Sequence, residues 1–281
     1  IIRGDIGDGS PGPGASAPII DGNAFNASAF VFKKSSAVND SVIEGFEIRN
    51  FSNPPSLFTG GTGSGIIAWN SDTNNISIRD NYFHNLGWNG ILVGSDDGSI
   101  QDRWYIIRNI INNSDYAGIE LTNTNDSLIE DNIVTVGSGI IWDPTDSGVG
   151  IEIAVRDHGT GVSTFNNSVL GNSFMNDSIT GSVAGPRAGI NILSRAYTSS
   201  ADAELNNVTL NGNNVSNISS RGIYIVAESR NDSDATINGI WITNNSLDKN
   251  GDGINIRDFV SSGTGDATHA DLNIVKNRIT M

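Results

Sequence analysis

Residues 74–93 read NNISIRDNYFHNLGWNGILV, and three short segments separate within them. Ile76 and Ile78 alternate with polar neighbours, Phe83 resumes the alternation after Asn81, and a third segment opens at Ile91 behind Gly90. Period-two alternation, β-branched residues and Asn, Gly and Asp as punctuation predict strands and turns. No stretch of the chain holds a helical period.

The same unit recurs on both sides. An apolar-x-x-Asn-x-apolar pattern places Asn at 81, 109, 132, 172, 213, 245 and 277, and Gly-Ile pairs begin at Gly65, Gly90, Gly118, Gly150, Gly189, Gly222 and Gly253. The Asn-to-Gly leg is 8 or 9 residues, except for 18 after Asn132 and 17 after Asn172. The Gly-to-Asn leg is 22 to 24 residues from Gly150 onward. Insertions therefore enter a constant unit at fixed points, which is the signature of an internal structural repeat.

Three short strands in about 23 residues form one rung of a solenoid, each strand pairing in parallel with its counterpart about 4.8 Å above. Ile78, Ile106, Ile129, Val169, Leu210, Ile242 and Ile274 then stack as one apolar column. Each repeat Asn, three positions on, occupies one corner, where it is expected to hold a left-handed bend and bond the next rung's Asn or backbone. The predicted class is all-β, a single-stranded right-handed parallel β-helix of about eight to nine rungs. Residues 1–18, with GDGSPGPGASAP at 7–18, are the lead-in or first irregular rung, and 19–281 form the solenoid, expected to be part of a longer chain. A solenoid left open after Asn277 exposes strand edges suited to self-association or a further domain.

The segments SIRDN (77–81), IIRNI (106–110), LIEDN (128–132) and NIVKN (273–277), with PIIDG (18–22) and VIEGFEI (42–48), resemble the right-handed parallel β-helix repeats of the pectate-lyase-like superfamily. That resemblance spans about Ile19 to Met281 and implies the fold. The superfamily includes polysaccharide lyases, glycoside hydrolases, epimerases, phage tailspikes and non-catalytic surface proteins, so the fold does not choose an activity. SDDG (95–98) and RDHG (156–159) are similar to polygalacturonase elements but stand too far apart, and no complete active-site motif of the family is present.

Composition narrows the class. The chain has no cysteine, so disulfides, thiolate chemistry and Cys-ligated metals are excluded. A net charge of −15 and a pI near 4.3 disfavour nucleic acid and anionic membrane as partners. No apolar run is long enough for a transmembrane helix. His84 and His269 read as turn or surface residues, and without His/Cys clusters a zinc site is not expected. GGTGSG (60–65) precedes a strand rather than a helix, so it is not a phosphate loop. Thirteen Asn-x-Ser/Thr sequons occur, at Asn26, Asn39, Asn50, Asn75, Asn112, Asn125, Asn166, Asn176, Asn207, Asn214, Asn217, Asn231 and Asn244. Random placement of 36 Asn and 50 Ser plus Thr gives about six. The turn preference of Asn and Ser explains part of the excess, and glycosylation of several sites is expected only for a secreted chain of eukaryotic or archaeal origin.

Two positions after the repeat Gly, side chains point outward and stack in the order Ile67, Leu92, Glu120, Glu152, Asn191, Tyr224 and Asn255. Glu120 and Glu152 thus become neighbours about 5 Å apart at the backbone, which repels unless a cation or proton lies between them. Trp69, Asp96, Asp97, Arg156, Asp157, His158, Arg195, Tyr197, Glu228 and Arg230 are placed just past the strand ends, and the insertions after Asn132 and Asn172 are placed as a groove wall.

The candidate catalytic residues are Glu120, Glu152, Arg156, His158, Arg195 and Tyr197: the Glu pair for a hydrolase, the Arg, Tyr and His for a lyase. Trp69, Trp142, Asn191, Tyr224 and Glu228 are substrate-binding candidates, with Arg156 and Arg195 available to a uronate carboxylate. No cofactor is required; Glu120, Glu152 and Asp157 are candidate Ca²⁺ ligands by their hard oxygens. The expected role is an extracellular or cell-surface module that binds, and in one version cleaves, a polysaccharide. The alternative is a non-catalytic, glycosylated envelope, adhesin or filament protein.

Overall fold

The computed structural model describes residues 1–8, 10–33, 38–53, 62–136, 148–159, 161–176 and 188–280. Among them there is no helix; parallel strands stack into three long sheets. Residues 74–93 supply one strand to each: Ile76–Arg79 to the first, Tyr82–Leu86 to the second and Ile91–Gly94 to the third. The second sheet climbs through nine strands, from Ile19–Phe25 to Arg278–Thr280, one per rung. The lead-in belongs to the solenoid, because Ile2–Arg3 pairs with Ser41–Glu44 and opens the first sheet.

The register is the predicted one. Ile43, Ile78, Ile106, Ile129, Val169, Leu210, Ile242 and Ile274 pair in succession, and all but the last are buried. Each such aliphatic side chain removed from water contributes roughly 1.5–3 kcal/mol. Ile274 lies on the last rung, where Ile256, Val275 and Ile279 are exposed as well.

The corners differ from expectation in one respect. The left-handed residue is not the repeat Asn but the residue before it: Asp80, Arg108, Asp131, Gly171, Gly212, Asn244 and Lys276 all have φ between 52° and 70°. That bend turns the following Asn inward, where its side chain is buried in every case but Asn277, which is half-buried. Asn109 shows the pattern of the inner rungs. Asn109 Oδ1 accepts from Asn81 Nδ2 (3.0 Å) and Asn81 N (3.1 Å), while its Nδ2 donates to Asn132 Oδ1 (3.0 Å) and to Ile78 O (2.9 Å). The ladder runs unbroken through Asn132, Asn172, Asn213, Asn245 and Asn277.

The Gly is required by stacking in five of the seven Gly-Ile pairs. A Cβ on Gly65, Gly90, Gly118, Gly189 or Gly222 would sit 2.5–2.9 Å from the carbonyl oxygen of the glycine one rung on. His84 and His269 lie within strands, not at corners. His84 bonds Glu47 (3.1 Å) and stacks on Tyr82.

The longer Gly-to-Asn legs are strand, not loop. Third-sheet strands grow from four residues at Ile91–Gly94 to six at Ala117–Thr122, then to nine at Val149–Asp157, Ala188–Ala196 and Arg221–Ser229. Opposite them the first sheet widens to ten residues at Asp202–Asn211 and Asp234–Thr243. The solenoid is therefore broader in its later rungs, and Arg156, Asp157, Arg195 and Glu228 lie inside strands rather than beyond their ends.

Candidate functional site

The outward column of the third sheet has the expected register, with Glu120 opposite Leu92 and Glu152, and Glu152 opposite Asn191. It is nevertheless covered: Glu120, Glu152, Asn191 and Tyr224 are each at most 2% exposed. The cation between the stacked glutamates is the Arg156 guanidinium. Its NH1 donates to Glu120 Oε1 (2.7 Å) and its NH2 to Glu152 Oε1 (2.5 Å). Arg156 reaches back along its own strand to Glu152, four residues away, over the small side chain of Ala154, which shares the outward face. Asn89 Nδ2 donates to Glu120 Oε2 (2.8 Å), Thr122 Oγ1 to Glu120 Oε1 (3.1 Å) and Asn191 Nδ2 to Glu152 Oε2 (2.7 Å). Burial pulls the guanidinium pKa down, but Glu152 and Glu120 override it and hold the group well above its ordinary value. All four carboxylate oxygens thus carry a donor.

A pocket of 230 Å³ opens above this lock, lined by Trp69, Trp88, Leu92, Asp96, Tyr116, Glu120 and Arg156. Trp88 and Tyr116 sit on adjacent rungs, joined by a Tyr116 N to Trp88 O bond (3.1 Å), and their rings stack at 4.3 Å and 15°. Trp69 is partly exposed and lies over Gly94, where a Cβ would come within 2.9 Å of its ring. Asp96 is exposed at the mouth, and its Oδ1 accepts from Asn70 Nδ2 (2.6 Å).

A second cluster gathers the rest of the expected set. Arg195, 2% exposed, donates from Nε to Glu228 Oε2 (2.6 Å), and Arg230 donates to Glu228 Oε1 (2.6 Å). Tyr197 stacks on His158 at 4.2 Å and 8°, with the Arg230 and Arg195 guanidinium carbons 5.1 and 5.8 Å from its ring centre. Arg156 and Arg195 are register partners, yet each is committed to its own glutamates. Neither is the unengaged cation that pairing with a uronate would need.

The expected calcium ligands do not converge. Asp157 follows Arg156 in the strand and so faces the other way, where its carboxylate accepts from the backbone N–H of Gly159 (2.9 Å), Gly161 (2.9 Å) and Asp202 (2.8 Å). Among the described residues no three His, Asp or Glu side chains group as metal ligands. Of the substrate-binding candidates, Trp69 is at the pocket, Asn191 supports Glu152, Tyr224 is buried with the Arg221 guanidinium 4.1 Å from its ring centre, and Glu228 is buried between two arginines. Trp142 and the greater part of both insertions lie outside the described residues, as does the side chain of Asn176.

Trp88 and Tyr116 were absent from the expected set. Their signal was present: each stands two residues before the Gly of a Gly-Ile pair, on consecutive repeats.

Several sequon asparagines hold left-handed bends of their own, outside the Asn81–Asn277 ladder. Asn75, Asn166 and Asn207 have positive φ, as do Asn50 and Asn244. Asn166, Asn207 and Asn244 donate Nδ2 to Asp126, Asn166 and Asn211 at 3.0, 3.4 and 2.9 Å. Turn chemistry therefore accounts for these Asn positions directly.

A family model described as a right-handed beta helix region matches residues 43–258, about three quarters of the chain. The chain belongs to the right-handed β-helix family. The Streptococcus pneumoniae surface protein and adhesin PfbA is similar in structure, with a TM-score of 0.49, 12% identity, and 95% of this chain and 90% of that chain covered. No curated protein matches this chain. Among the described residues of this β-helix no helix is long and apolar enough to cross a membrane.

Proposed function

We propose that this β-helix is an extracellular or cell-surface module that binds a polysaccharide in the pocket above Glu120 and Arg156. The observation that carries the reading is the aromatic wall, Trp69, Trp88 and Tyr116, over a floor of fixed charges. Aromatic faces offer apolar area at little cost in side-chain entropy, and the charged floor offers directional partners for hydroxyls. Binding is favoured over cleavage, because a glutamate acting as acid or nucleophile would have to give up its bond to Arg156. If the chain carries glycans, exposed Asn26 and Asn214 are better acceptors than the sequon asparagines that hold left-handed bends.

A screen of immobilised neutral and acidic polysaccharides tests this, followed by affinity and by the appearance of unsaturated products and new reducing ends. Retention of at least one polysaccharide is expected, weakened about tenfold by Trp69→Ala. No retention across the screen sinks the proposal and leaves the β-helix as a rigid structural element; new reducing ends or unsaturated products restore the hydrolase or lyase reading.

A further inference from the structure

We infer that the pocket accepts a single uncharged pyranose ring and selects against acidic sugars, an inference that rests on the glycan-binding reading above. Size sets the first half. At 230 Å³ the pocket falls below the roughly 300–1,000 Å³ of sites that enclose drug-sized ligands, so one ring fills it.

Charge sets the second half. The lining carries the carboxylates of Asp96 and Glu120 against the one guanidinium of Arg156, and Glu152 adds a further negative charge behind it. Arg156 has little to offer a ligand carboxylate. Its NH1 and NH2 are held by the glutamates, and its Nε is buried, with no partner among the described residues. A uronate would therefore be desolvated beside net negative charge, which costs affinity. A neutral sugar meets no such penalty. Its hydroxyls can donate to Asp96, of which only Oδ1 is engaged among the described residues, by Asn70, while its C–H face lies on the Trp69 ring.

An array in which every neutral hexose terminus is paired with its C6-oxidised uronate of equal length and linkage decides the matter. The expected result is binding to one or more neutral members, with about tenfold weaker binding of the matched uronates. Asp96→Asn should narrow that gap from the uronate side with an unchanged thermal midpoint, and Trp69→Ala should lower the neutral affinity. Equal or tighter uronate binding overturns this inference and leaves the glycan-binding reading standing. A gap unmoved by Asp96→Asn overturns the charge argument, and no binding to either series removes both.

Discussion

At the scale of single residues, the repeat Asn is a buried connector whose position is set by the residue before it. Its amide satisfies a backbone N–H and a carbonyl of the preceding rung, as that of Asn109 does for Asn81 N and Ile78 O. The value of each Asn therefore depends on where it stands. Asn132→Ala removes the acceptor of Asn109 N and Asn109 Nδ2 and the donor to Ile106 O, all buried, and should cost about 2–4 kcal/mol. Asn277 makes part-buried bonds, so Asn277→Ala should cost less than about 1.5 kcal/mol in this 281-residue chain. Denaturant titration of the two variants measures the difference. Equal costs would show that the ladder is not what distinguishes inner from outer rungs.

At the scale of elements, two adjacent third-sheet strands bring two glutamates together, and an arginine one strand-face step beyond Ala154 resolves the conflict. Removing that cation leaves two carboxylates buried side by side, so Arg156→Met should destabilise the fold by about 3–5 kcal/mol. Adding Glu120→Gln and Glu152→Gln to Arg156→Met should recover much of that loss, because neutral amides do not repel. Thermal or urea unfolding of the single and triple variants provides the check; a triple variant no better than the single one contradicts the account.

The stacking of Glu120 on Glu152 was legible from spacing alone, since strand register carries position along a sheet. Its resolution was not legible, because a long side chain folding back along its own strand leaves no periodic trace. The same limit hid the pocket. Trp88 and Tyr116 sit at a repeat position of their own, but their convergence with Trp69 depends on how side chains tilt at the sheet edge, which a two-residue period does not encode. The lengthened legs after Gly150 were visible, while their identity as continuous strand required the first and third sheets to be seen widening together.

At the scale of the whole molecule, rungs are joined in series, and each contacts its neighbours above and below. Equivalent ladder asparagines from Asn81 to Asn277 are separated by 28, 23, 40, 41, 32 and 32 residues. Pulled from its two ends, such a stack should come apart a rung at a time, and each step should release the chain stored in that rung. At roughly 3.5 Å per extended residue, the shortest rung yields about 80 Å of contour and the longest about 140 Å. Single-molecule force spectroscopy should therefore record steps of unequal length, with the two matching 32-residue rungs giving equal increments near 110 Å. A single all-at-once release would contradict that behaviour; a stepwise trace would make this β-helix an extensible tether whose step lengths are written in the spacing of its asparagines.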